Sequence, residues 1–200
     1  MFSTTRMPGY RAFGLTLVIL FLALLQGCAT YNTISDGADA RLMLKGHDPV
    51  AYFTVGKHVL GKADIKADYD GVTYRFASED HHQMFLKSPD KFTPQFGGFC
   101  SNGMVYAIPW GGDPDTWKII DGRLYIFGGE ASKKYFLMDE KRNLELANAY
   151  WNNEVKGTQP RLQTWKRLVL RVPHYKSSKA LEAEWQARQS GKTVAPQAAL

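Results

Sequence analysis

An almost wholly apolar run from Gly14 to Leu24 limits what the rest of this chain can become. Arg6 and Arg11 precede it, and Leu25-Gln26-Gly27-Cys28 follows. A basic start, about ten apolar residues and then small neutral ones make the layout of a secretory signal. The run is short of the roughly 20 residues that a membrane span needs. A signal over residues 1–27 leaves 173 of the 200 residues. The chain has only two cysteines, Cys28 and Cys100. With Cys28 modified at the new N-terminus, Cys100 has no partner, so the exported chain must rest on an apolar core and not on an internal disulfide. At 44 % hydrophobic residues and this length, one domain with a core of its own is expected.

The ending Leu25-Gln26-Gly27-Cys28 has the form of a bacterial lipobox, in which the cysteine carries lipid. The competing reading is an uncleaved anchor helix with a chance cysteine. Lipidation at Cys28 places the chain in the cell envelope, facing the periplasm, with the membrane as a partner. Ala29, where an aspartate would retain the protein, points to the outer membrane if the source has two. The formal charge of +6 is unevenly spread. From Pro160 to Leu200 there are 8 basic and 2 acidic residues, whereas Ala29–Gln159 carries 15 and 17. A basic tail suits nucleic acid or anionic lipid. Export excludes nucleic acid and leaves anionic lipid, an envelope protein partner, or simply a solvated helix face.

Residues 28–44 read as a polar, turn-rich tether and 45–155 as the body. Asp48-Pro49 forms a turn, with Val50 to Phe53 as a short strand. A turn at Asp70-Gly71 leads into Val72, Tyr74 and Phe76, which alternate as in a half-buried strand. Ser78 is placed to cap a helix that Glu79 and Asp80 open and Pro89 ends. Gly97-Gly98 should mark a sharp turn or a close backbone approach before Phe99-Cys100. Trp117–Ile120 and Leu124–Phe127, joined by Asp121-Gly122, predict a hairpin. Short helices are expected over Ala131–Met138 and along the face Leu144, Ala147, Trp151, Val155. Residues 156–200 read as a basic helical extension. There Trp165, Leu168, Val169 and Val172 form an apolar stripe expected to pack on the body, with Lys166, Arg167 and Arg171 turned away.

Phosphate-binding glycine loops, the Gly-x-Ser-x-Gly elbow, His-Glu-x-x-His and Cys-x-x-Cys are all missing from the sequence. What remains is Cys100, five histidines and scattered methionines. A thiol beside a glycine turn suits a soft metal, whereas a packed cysteine is simply a small hydrophobe. His47, His81 and the Met104 sulfur are the candidate co-ligands. His81 and His82 point about 100° apart on a helix and do not share a small site.

Gly46-His47-Asp48-Pro49-Val50-Ala51-Tyr52-Phe53 resembles the opening of bacterial YHS domain proteins. So do Tyr69-Asp70-Gly71 with Tyr74-Arg75-Phe76-Ala77-Ser78, and Pro89-Asp90-Lys91-Phe92 with Gly97-Gly98-Phe99-Cys100. Trp117 with Asp121-Gly122-Arg123-Leu124-Tyr125 extends the resemblance, which covers roughly Lys45 to Trp151. It implies a small α+β module with short antiparallel strands and packed helices. It also implies metal handling, although Ala51 stands where one version of the family has a cysteine. The expectation is an exported, lipid-anchored binding module without catalysis. It holds a copper or zinc ion through Cys100, with an imidazole or the Met104 sulfur within about 5 Å. The alternatives are a structural or interaction module with Cys100 in its core, and a thiol redox protein that borrows a resolving cysteine from a partner.

Overall fold

A computed structural model of the chain describes residues 30–191. It has an α+β fold. The signal, the lipidation candidate Cys28 and the last nine residues lie outside the described residues.

Folding begins earlier than the sequence reading placed it. The supposed tether supplies two strands, β1 (Thr33–Asp36) and β2 (Asp39–Met43), paired antiparallel around Gly37. Gly37-Ala38 is therefore a hairpin turn, and Leu42 and Met43 are buried. β3 (Lys62–Tyr69) and β4 (Val72–Phe76) form a second hairpin, and β4 runs parallel to β2. The sheet order is β1-β2-β4-β3. Val72, Tyr74 and Phe76 point into the core, as their alternation predicts.

Where Val50 to Phe53 reads as a strand, the chain forms one helical turn, α1 (Ala51–Thr54). Asp48 explains the difference. Its Oδ1 accepts from the N–H groups of Val50 (2.8 Å) and Ala51 (3.3 Å), which satisfies the donors a helix start leaves open. The helix α2 (Glu79–Lys87) has the predicted cap: Ser78 Oγ accepts from the His81 N–H at 3.2 Å. Pro89 does more than end it, because it opens α3 (Pro89–Phe92) from the first-turn position where its missing N–H costs nothing.

The glycine pair behaves as its position requires. Gly97 has φ +58° and Gly98 φ +78°. A Cβ on Gly97 would stand 2.4 Å from the Thr30 carbonyl oxygen, and one on Gly98 would stand 3.0 Å from the Met43 sulfur. The segment before β1 closes on this turn: the Asn32 N–H donates to Gly97 O (2.8 Å), and its side-chain amide donates to Gly98 O (3.1 Å) and Gly112 O (3.2 Å).

β5 (Asp113–Ile120) and β6 (Arg123–Phe127) form the expected hairpin, with positive φ at both Asp121 and Gly122. β6 is buried on both faces. Leu124 and Ile126 join the core under the four-stranded sheet, while Tyr125 and Phe127 join a second core. That second core includes Met104 from α4 (Ser101–Met104), Phe136 from α5 (Glu130–Leu137) and Ala147 from α6 (Glu140–Tyr150). A wider, π-type turn, Trp151–Val155, prolongs α6 and buries Val155.

The extension forms two helices, α7 (Pro160–Val169) and α8 (Ser178–Gln189). Val172 and Leu181 attach it to the body. Of the predicted stripe, only Val172 packs on the body. Trp165, Leu168 and Val169 face solvent, and the buried residue of α7 is Gln163. Its amide donates to Ala107 O (3.0 Å) and to Glu154 Oε1 (2.6 Å). Lys166 Nζ (3.1 Å) and Arg167 Nε (2.7 Å) reach the same carboxylate. Burial raises the Glu154 pKa, but the bonds from Arg167, Gln163 and Lys166 outweigh it and hold the carboxyl at about 2. The helix thus docks through its polar side, because the surface it meets offers a carboxylate and a carbonyl.

Candidate functional site

Cys100 is 2 % exposed and precedes α4. Its N–H donates to Trp110 O (2.9 Å), and its carbonyl accepts from the Met104 N–H (3.1 Å). The sulfur stands 3.5 Å from where a Cβ on Gly128 would lie. Cys100 and Met104 therefore share one helical turn, and both are buried. The thiol is free, and no hydrogen bond joins it to an imidazole among the described residues.

The two candidate histidines flank Asp48. His47 Nδ1 bonds to Leu44 O (2.9 Å), and its Nε2 lies 3.4 Å from an Asp115 carboxylate oxygen. His81 Nδ1 donates to Asp48 Oδ2 at 2.6 Å, and its Nε2 shares a 3.1 Å hydrogen bond with Thr54 Oγ1. Asp48 is fully buried and also accepts from the Ala77 N–H at 2.8 Å. One carboxylate thus joins the start of α1, the end of β4 and the face of α2. All four ring nitrogens of His47 and His81 have partners, so a metal would displace a bond at either. No group of three or more His, Cys, Asp or Glu side chains among the described residues is arranged to hold a metal ion.

Asp48, His81 and Thr54 stand in the order carboxylate, imidazole, hydroxyl. The order is that of a hydrolase triad, but the geometry serves packing. The Thr54 hydroxyl also bonds to Val50 O (3.1 Å) within its own helical turn, and these three residues line neither of two surface cavities found elsewhere.

The larger opening, a cavity of about 630 Å³, lies where the extension meets the body. α4 and the turn after it supply Asn102, Val105 and Tyr106; α6 supplies Arg142 and Leu146; the segment between α7 and α8 supplies His174 and Tyr175. His174 fixes this seam. Its Nε2 donates to Val105 O (2.8 Å), and its ring stacks between Tyr106 and Tyr150, each 5.8 Å away between centroids. Tyr175 meets Tyr106 edge-on at 5.2 Å.

Two polar groups of the cavity have no task in the fold. Asn102 is 6 % exposed, and its side-chain amide makes no hydrogen bond to another described residue. No polar side-chain atom among the described residues is both sealed from solvent and unbonded, so the amide opens into the cavity. Arg142 makes no ion pair with another described residue. Lys176 and Arg188, by contrast, both pair with Glu184, at 2.5 and 2.7 Å. Burial, with help from the Glu184 charge, pushes the Tyr106 hydroxyl up to about 12, so it is a neutral donor at ordinary pH. Around the rim, Arg142, Lys176 and Arg188 face Asp139 and Glu184, a balance of one positive charge. Sequence reasoning missed this site. The aromatic pair His174-Tyr175 after Pro173 was its only local sign.

No family model, no curated protein and no solved structure matches the chain.

Proposed function

We propose that the chain is a lipid-anchored, non-catalytic binding module of the cell envelope, and that its ligand site is the cavity between body and extension. The observation that carries this reading is Asn102: the residue is largely buried, its amide bonds to no other described residue, and it faces a cavity that also holds Arg142, which ion-pairs with no other described residue. A ligand with an acceptor at its edge would engage this amide directly. The tyrosine faces, Leu146 and Leu181 offer apolar walls. A small organic anion with a flat apolar body matches this lining, its charge on Arg142 and a polar edge on Asn102. The resemblance to YHS domains supports a binding role, and Leu25-Gln26-Gly27-Cys28 supports the anchor.

The copper or zinc reading gives Cys100, His47, His81 and Met104 a shared ion. It requires the core around the thiol to open and at least one histidine bond to be exchanged. A single set of titrations separates the readings. Benzoate and its hydroxylated relatives should raise the melting temperature of the wild type and leave Asn102→Leu and Arg142→Ala unmoved. No shift with any of them removes the cavity reading. Tight Cu(I) binding that is lost in Cys100→Ser and weakened in His47→Ala would put the metal centre in its place.

A further inference from the structure

On α7 the usual arrangement of an amphipathic helix is turned inside out. Leu162 and Trp165 are each 71 % exposed and Val169 is 61 % exposed; Leu168 and, just past the helix, Leu170 are exposed too. At 3.6 residues per turn, Leu162, Val169, Trp165, Arg161 and Leu168 fall within about 120° of the helix circumference. They form one outward apolar face with a single cation in it. The helix cannot roll to hide this face, because Gln163, Lys166 and Arg167 on the other side are bonded to Glu154.

The position of this face relative to the chain start identifies what covers it. Thr30, the first described residue, donates its hydroxyl to Thr158 O at 2.8 Å and lies 3.4 Å from Val155 O. Its attachment is thus two residues before Pro160, where α7 begins. Cys28 precedes Thr30 by two residues, and two residues reach no more than about 7 Å. The anchor and the apolar face consequently lie at the same end of the molecule.

We propose that the outward face of α7 lies in the headgroup layer of the membrane that holds Cys28, as a second contact that fixes the orientation of the domain. The proposal rests on the anchoring reading above. Charge favours the same occupant: Arg161 lies within the outward face, and residues 160–171 carry no acid, which suits anionic headgroups. Tryptophan and aliphatic side chains beside arginine are what an interfacial helix presents. A second copy of the chain fits less well. One ten-residue helix face falls well short of the roughly 1,200 Å² that a stable dimer buries, and pairing it would bring like charges together.

The test uses full-length acylated protein reconstituted in phosphatidylethanolamine–phosphatidylglycerol vesicles whose lipids are brominated near the headgroup. Subtracting the emission of Trp165→Phe isolates Trp165. That emission should fall by about half relative to unbrominated vesicles. The double variant Leu162→Glu, Val169→Glu should lose the quenching yet stay with the vesicles. Unquenched Trp165 in acylated, vesicle-bound protein overturns the headgroup contact alone. Quenching that survives the double variant also overturns it, as does shielding of Trp165 that rises with protein concentration without vesicles, which would point to a second copy. Intact mass on the same sample tests the anchor separately: a chain without acyl mass removes the anchoring reading and the proposal built on it.

Discussion

α2 and α7 are nearly equal in length, nine and ten residues, and both are amphipathic, yet they dock with opposite faces. α2 turns Phe85 inward, where it meets Tyr74 and Phe76 of β4 at ring distances of 4.8 and 5.1 Å. α7 turns Gln163 inward and leaves Trp165 in solvent. The difference lies beneath the helices. β4 presents a row of apolar side chains, while the turn after α6 presents the Glu154 carboxylate and Ala107 a carbonyl. A helical pattern therefore says that two faces differ, and the surface below decides which is buried.

The sharpest way to break this comparison is to remove the inward group of each helix. Phe85→Ala should cost about 4 kcal/mol, read as a lower urea midpoint with an unchanged slope. A loss below about 1 kcal/mol would mean that α2 contributes no core. Glu154→Gln should cost less, about 2 kcal/mol, because the ion pair is only partly shielded from water. Its pH dependence is distinctive. The Glu154 carboxyl is held at about 2, below its unfolded value of about 4.3, so its contribution is complete above that value and vanishes as pH falls toward 2. Wild type and Glu154→Gln should accordingly converge in stability over that window, and a constant gap would assign the loss to packing. The smallest effect belongs to Trp165→Ala, which should move stability by no more than about 0.5 kcal/mol despite removing the largest side chain of α7. A loss comparable to that of Phe85→Ala would show that α7 is buried in solution.

What was legible in the sequence was local. Asp121-Gly122 and Asp70-Gly71 each needed only their own dihedral preferences to make a turn. Ser78 needed only the N–H three residues on, and Asp48 only the donors just after it. Gly97 and Gly98 announced a close approach, although not that the approaching chain is Thr30 and Met43. The strands at 33–43 were hidden because their polar, turn-rich composition matches a tether and their partner β4 lies some 30 residues away. The docking side of α7 depends on Glu154, and the cavity draws on four separate segments, so no window of sequence contains either. Cys100 was found, but its burial comes from Trp110 and Gly128, whose proximity no spacing encodes.

β6 carries a consequence for how the molecule comes apart. Leu124 and Ile126 belong to one core, and Tyr125 and Phe127, on the same short strand, to the other. Neither core can melt while leaving its neighbour intact, since releasing β6 strips a wall from both. The body should unfold in one cooperative step despite its two apolar centres, with the β6 amides among the last to exchange with heavy water.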